Sequence, residues 1–135
     1  MNNKRQALDL WDRAVAAFRT AKYINSDNDS VANRCYYAAF HAVSALFALE
    51  GKTFNNHGAV QSAVHRDLVK TGRWPLDLGA EYTFLLEARI KADYGGGLHV
   101  MDKEATRVLD IAGRILAVVH AVNPDIFILP EGLLK

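Results

Sequence analysis

At 135 residues, half of them hydrophobic, the chain is the size of one ordinary globular domain with a core of its own. Its 16 basic and 15 acidic side chains leave a net charge of +1, which excludes a strong global field for nucleic acid or a membrane surface; any such binding has to come from a local patch. The single cysteine, Cys35, excludes an internal disulfide, and no apolar run approaches the ~20 residues of a membrane span.

The opening MNNKRQALDLWD passes straight into an amphipathic pattern, not a leader peptide, so a cytoplasmic protein away from membranes is expected. Residues 5–24 carry Leu8, Trp11, Val15 and Phe18 at helical spacing, with Ala14, Ala17 and Ala21 widening the stripe. This predicts a first helix. Residues 25–30, NSDNDS, are turn and cap formers, and Asp29 or Ser30 is the expected N-cap of the next helix. Residues 31–50, VANRCYYAAFHAVSALFALE, run without Gly or Pro to Gly51, a residue suited to stopping a helix. Asn55 or Asn56 is then expected to cap a third helix over residues 57–70, with Val60, Val64 and Leu68 facing inward. Pro75 suits the start of a fourth, over residues 77–93, and Gly95 to Gly97 read as a flexible connection. Asp102 is the expected cap of a fifth helix that ends near Val122, before Asn123-Pro124. The apolar tail, residues 123–135, either packs extended on the helices or meets a partner. No stretch alternates at period two. The expected fold class is all-α: one domain over residues 1–135, an antiparallel up-and-down helical bundle of four long helices plus one shorter helix, with its bundle spanning about 5–122.

The helix over 31–50 is apolar around most of its circumference, so it is expected to be buried in the middle of the bundle. Against that, Arg34, Tyr37, His41 and Ser44 fall three, four and three apart, on one face. Such groups cost free energy to bury without partners, so the strip is either satisfied internally or lines a site. In the first reading Arg34 is an ion-pair partner and His41 a core or interface histidine; Cys35 is a small core residue. In the second, Arg34 holds a phosphate with its fixed fork of donors and His41 moves a proton near neutral pH. The two stand ~10 Å apart along the axis and both lean toward the helix N-terminus, so spacing alone does not make them converge. His57 either braces a loop or faces an anion at a helix N-terminus. Arg89 and Asp93 are four apart and can pair along the fourth helix, while Asp93 can instead reach Arg34. Two arginines sharing one carboxylate leave positive charge over for a phosphate. Tyr94 closes that helix. His65, His99 and His120 stand alone, and HExxH, cysteine pairs and acidic clusters are missing, so no metal and no other cofactor is expected.

Arg34-Cys-Tyr-Tyr-Ala-Ala-Phe40, followed in order by His57-Gly58, Lys70-Thr-Gly72 and Arg89-Ile-Lys-Ala-Asp-Tyr94, resembles the signature of HEPN domains, closest to their short stand-alone bacterial and archaeal members. The resemblance covers about residues 32–94. It implies a helical bundle that is usually a homodimer. For many members it also implies a metal-independent endoribonuclease, whose motif pairs an Arg with a His a few residues on, assembled at the dimer interface. Arg34 and His41, with six residues between them, fit that motif at its long end. Transferred to this chain, His41 would assist attack of a ribose 2′-hydroxyl on the adjacent phosphate, and Arg34 would hold that phosphate and stabilise its developing charge. Tyr37, His57, Arg89, Asp93 and Tyr94 would support the pair. The implied role is an RNA- or nucleotide-binding toxin of a toxin–antitoxin pair. The alternative is a non-catalytic nucleotide-binding or dimer module that partners a minimal nucleotidyltransferase encoded next door.

Overall fold

A computed structural model describes residues 2–24 and 26–135. The α-helices follow in the order α1 (Asn2–Tyr23), α2 (Asn28–Leu49), α3 (His57–Ala63), α4 (Leu76–Tyr94) and α5 (Asp102–Val122). Among the described residues there is no strand. The helices pack on one another as a bundle, with α2 against α1, α4 and α5 and touching α3.

Small residues put α2 at the centre. Ala32, Ala38, Ala39, Ala42 and Ala45 are fully buried along it, and Ala7, Ala14 and Ala17 line the facing side of α1. Without large side chains at those positions the two axes can approach closely. Larger groups, among them Trp11, Phe18, Leu46 and Phe47, fill the space around that seam, and α5 closes it with Val108, Ile115, Leu116 and Val119. Cys35 lies in this core, and burial pushes its thiol up to about 12.

Two helix starts differ from the sequence expectation. The N-cap of α2 is Asp27, not Asp29 or Ser30: its carboxylate accepts from the Ser30 N–H at 3.1 Å and from the Ser30 hydroxyl at 2.7 Å. Asp29 sits in the first turn and faces the α4–α5 connection, where it accepts from the Val100 N–H at 2.8 Å and meets His99 Nδ1 at 2.7 Å. The backbone N–H and then His99 hold its carboxyl below the usual range. The cap of α5 is Met101, not Asp102; Glu104 reaches back to the Met101 N–H at 2.9 Å, and Asp102 accepts instead from Asn28 at 2.7 Å. At the end of α2, Gly51 takes φ +81° as expected. This allows the paired bonds Lys52 N–H to Phe47 C=O and Gly51 N–H to Ala48 C=O, at 2.9 and 3.0 Å.

Asn56 caps α3, accepting from the Ala59 N–H at 2.8 Å. Val60, Val64 and Leu68 are buried as the spacing predicts. The helix nevertheless does not stay α-helical to residue 70, because Val64–Val69 widens into a π-helical turn. Gly79 on α4 admits that turn, since a Cβ there would meet Val69 Cγ2 at 2.6 Å.

Of the two expectations for the tail, packing on the bundle is the one observed. Phe127 is fully buried, its ring 5.3 Å from Trp11. Trp11 Nε1 donates to Ile128 C=O at 2.7 Å, and His120 Nδ1 meets Phe127 C=O at 2.6 Å. Lys22 donates to the carbonyls of Leu133 and, at 2.7 Å, Lys135. The tail therefore completes the core, and Phe127→Ala is expected to cost about 3–5 kcal/mol of stability. Urea unfolding followed by the fluorescence of the two buried tryptophans, Trp11 beside Phe127 and Trp74, measures that loss.

Candidate functional site

The α2 strip is not buried as the apolar circumference of the helix predicts. Arg34, Tyr37, His41 and Ser44 are each half-buried, in a face between α1 and α4 that is covered only in part. The cover is supplied by Phe54 and His57, ahead of and at the start of α3. The remaining faces of α2 are deeply packed, and this fixes the helix as a rigid support for the strip.

Tyr37 is the centre of this face. The Arg34 guanidinium lies 5.3 Å from its ring centroid and that of Arg89 lies 5.6 Å away, so two cations share one π system. Arg89 Nη2 also donates to the Tyr37 hydroxyl at 3.2 Å. Asp93, one turn beyond Arg89 on α4, makes an ion pair with Arg89 Nε at 3.1 Å. It does not reach Arg34, the alternative that the spacing left open. Instead Asn33 stands between them. Its amide nitrogen donates to both Asp93 oxygens, at 3.2 and 3.1 Å. Its amide oxygen accepts from Arg34 Nε and Nη2, at 3.0 and 2.8 Å. Two guanidiniums are thus served by one carboxylate, one directly and one through an amide. Arg34 has no carboxylate partner of its own among the described residues. Tyr94 is largely exposed, with its ring 5.7 Å from Arg89.

Two histidines lie on the same face. Phe40 packs on His57 at 4.5 Å between ring centroids, and Tyr37 is 5.7 Å from His57 and 5.9 Å from His41. Burial, then the guanidiniums of Arg13 and Arg34, and then His57 push His41 down to about 4. His57 is lowered as well, by burial first and Arg89 second. Both imidazoles are therefore neutral near pH 7, with their lone pairs unprotonated. Tyr36 holds its own proton up to about 12, chiefly because it is buried. Its hydroxyl is hydrogen-bonded to His57 Nδ1 at 2.9 Å, which fixes the orientation of the His57 ring. His41 Nδ1 is buried with no hydrogen-bond partner, so no acceptor orients that ring.

Arg34 and His41 open onto different cavities. Arg34 lines one of about 450 Å³ with Thr20, Ile24, Asp29 and Asp93. His41 lines another, of about 170 Å³, on the α1 side. The structure thus joins Arg34, Tyr37, Arg89, Asp93 and Tyr94 into one cluster, sets His57 against its aromatic side, and leaves His41 at the far end of the strip. Three participants escaped the sequence reading. Asn33 precedes Arg34, and its bridging depends on where α4 lies. Tyr36 reads as core from its spacing. Arg13 belongs to the charged side of α1, yet it is near enough to act on His41. Among the described residues no three His, Cys, Asp or Glu side chains gather in a way that could hold a metal. No described helix is long and apolar enough to cross a membrane.

The sequence model for the HEPN domain matches residues 5–122. A UPF0332 protein of Thermotoga maritima is 39% identical over 98 residues, covering 70% of this chain and 74% of that protein.

In proton NMR titrations the His41 ring signals are expected to move with a midpoint near pH 4, and those of His57 with one below 6.5. The same depression acts on stability. Between about pH 6.5 and 4 the unfolded chain binds a proton that folded His41 refuses, so stability is full above 6.5 and declines as the pH falls through that window.

Proposed function

This chain belongs to the HEPN domain family, and we propose from that premise that it binds RNA on the α2 strip and cleaves it as a metal-independent endoribonuclease. One observation supports this above the others. Arg34 and Arg89 lie against the same Tyr37 while a single carboxylate, Asp93, serves both. The cluster keeps one unit of positive charge at a half-buried face, which is what a phosphodiester needs. A neutral imidazole at the far end supplies the base. In the proposed reaction His41 takes the proton of a ribose 2′-hydroxyl and the 2′-oxygen forms a bond to phosphorus. The bond from phosphorus to the 5′-oxygen breaks, that oxygen takes a proton from water and leaves as a hydroxyl, and the His41 imidazolium returns its proton to the hydroxide so formed. The other product ends in a 2′,3′-cyclic phosphate. Arg34 and Arg89 offset the charge that builds on the phosphoryl oxygens.

Within one chain Arg34 and His41 face separate cavities. A homodimer answers this, because two strips facing each other across a two-fold axis can offer Arg34 from one copy beside His41 of the other. The biological role we assign is the toxin of a toxin–antitoxin pair, acting in the cytoplasm. A second reading is favoured by that same separation and by the unoriented His41 ring: a non-catalytic nucleotide-binding module for a minimal nucleotidyltransferase, with Arg34 holding the nucleotide phosphate.

Single-stranded RNA incubated with the protein and EDTA separates the two. Cleavage is expected to leave 2′,3′-cyclic phosphate and to fall by about 10²–10⁴-fold in His41→Ala, the usual worth of a general base. Undiminished cleavage by clean His41→Ala protein would remove His41 from the chemistry. A wild type that binds nucleotide and leaves RNA intact selects the second reading.

A further inference from the structure

The cavity at the His41 end of the strip lies between α1 and α2, closed by residues 52–54, and measures about 170 Å³. That is below the ~300–1,000 Å³ of sites that enclose drug-sized ligands, so it suits one flat ring system and not a whole nucleotide. Its walls fit such an occupant. Phe40 and Phe54 supply aromatic rings and Leu10 an aliphatic wall, while Gln6, Ser44 and Thr53 supply hydrogen-bonding groups. A nucleobase is recognised by that combination, since every base has a face to stack and an edge to hydrogen-bond.

Positive charge surrounds the opening. Lys52 lines it. On α1, Gln6, Leu10 and Arg13 follow at four and three residues, so Arg13 stands one turn further along the stripe that walls the cavity. Arg13 is exposed, has no ion-pair partner among the described residues, and acts on the His41 ring more strongly than Arg34 does. The proposed reaction gives it no part.

We infer that this cavity receives one unstacked base of single-stranded RNA, and that Arg13 holds the phosphate beside that base. The inference rests on the RNA reading above and adds a base-binding subsite to it. A duplex keeps its bases stacked and paired and cannot fill the cavity, whereas a loop or a free strand can turn a base outward. His41 then stands where the seated base meets its phosphate, so filling the cavity sets the position of the ribose to be attacked.

Fluorescence anisotropy with two labelled probes tests this on the intact protein. One probe is a short single-stranded RNA with 2′-O-methyl riboses, which cannot be cleaved. The other is an abasic strand of the same length, with the same phosphates and no bases. Wild type is expected to bind the first roughly 10-fold more tightly, the order of one base–aromatic stack. Ser44→Leu, which fills the cavity, is expected to bring the two affinities together. Arg13→Ala is expected to weaken both probes alike and to lower the salt dependence by about 0.7 in log–log slope, one phosphate contact. Equal affinity of wild type for the two probes overturns the base pocket and leaves the phosphate reading standing. A duplex of the same sequence binding as tightly as the single strand also overturns it. Lack of affinity for either probe overturns both the inference and the function it rests on.

Discussion

Asp93 ties two arginines to one tyrosine, and the half-buried polar face of α2 depends on that arrangement. An isolated ion pair four residues apart on a helix is worth only about 0.3–0.5 kcal/mol. Here the Arg89 side chain is 16% exposed, so its guanidinium has given up much of its water for the nearby carboxylate, the Tyr37 hydroxyl and the rings of Tyr36, Tyr37 and Tyr94, while its buried Nε, within ion-pair distance of Asp93, makes no hydrogen bond. Asn33 carries the same carboxylate's influence to Arg34 without neutralising it. A direct Arg34–Asp93 pair would satisfy the arginine and close the site. An amide between them orients the guanidinium and leaves its charge available. This division of labour favours the binding reading over a purely structural network.

The rest of the fold keeps α2 and α4 in the register this arrangement needs. Small residues on α1 and α2 fix the central seam, and Asp29 pins residues 99 and 100 so that α5 starts where it can cover α4. Gly79 lets the π-helical turn lie on α4, and that turn continues the helix whose first residue, His57, braces Tyr36 and Phe40. The tail fills the opposite side of α1 through Phe127 and leaves the strip free. Core packing and the open polar face are two consequences of the same helix positions.

Much of this was legible in the sequence. Helical periodicity located the helices and the tail's apolar character, and the three-four-three spacing placed Arg34, Tyr37, His41 and Ser44 on one line. Arg89 and Asp93 announced their pairing by being four apart. What stayed hidden depended on distant partners. NSDNDS contains several residues able to cap α2, and Asp29 is taken out of that competition by Val100 and His99, some seventy residues away. The π-helical turn depends on a missing side chain at Gly79. Periodicity identified the strip's face but not what covers it, so the strip is half-buried where burial was expected. Asn33 and Arg13 carry no pattern of their own; each matters only because another helix brings a partner to it. The HEPN resemblance suggested the roles proposed for Arg34 and His41, and geometry adds that one chain keeps them apart.

The central claim is that the Tyr37 cluster holds a phosphate with charge left over after Asp93 is satisfied. The most direct measurement follows the arginine Nε–Hε signals by NMR while a dinucleotide lacking the 2′-hydroxyl is added. The Arg34 and Arg89 signals are expected to shift together and saturate, with Arg34 moving further because it has no carboxylate of its own. Shifts confined to arginines outside the strip, or none at saturating dinucleotide, would contradict it and return the cluster to a structural role.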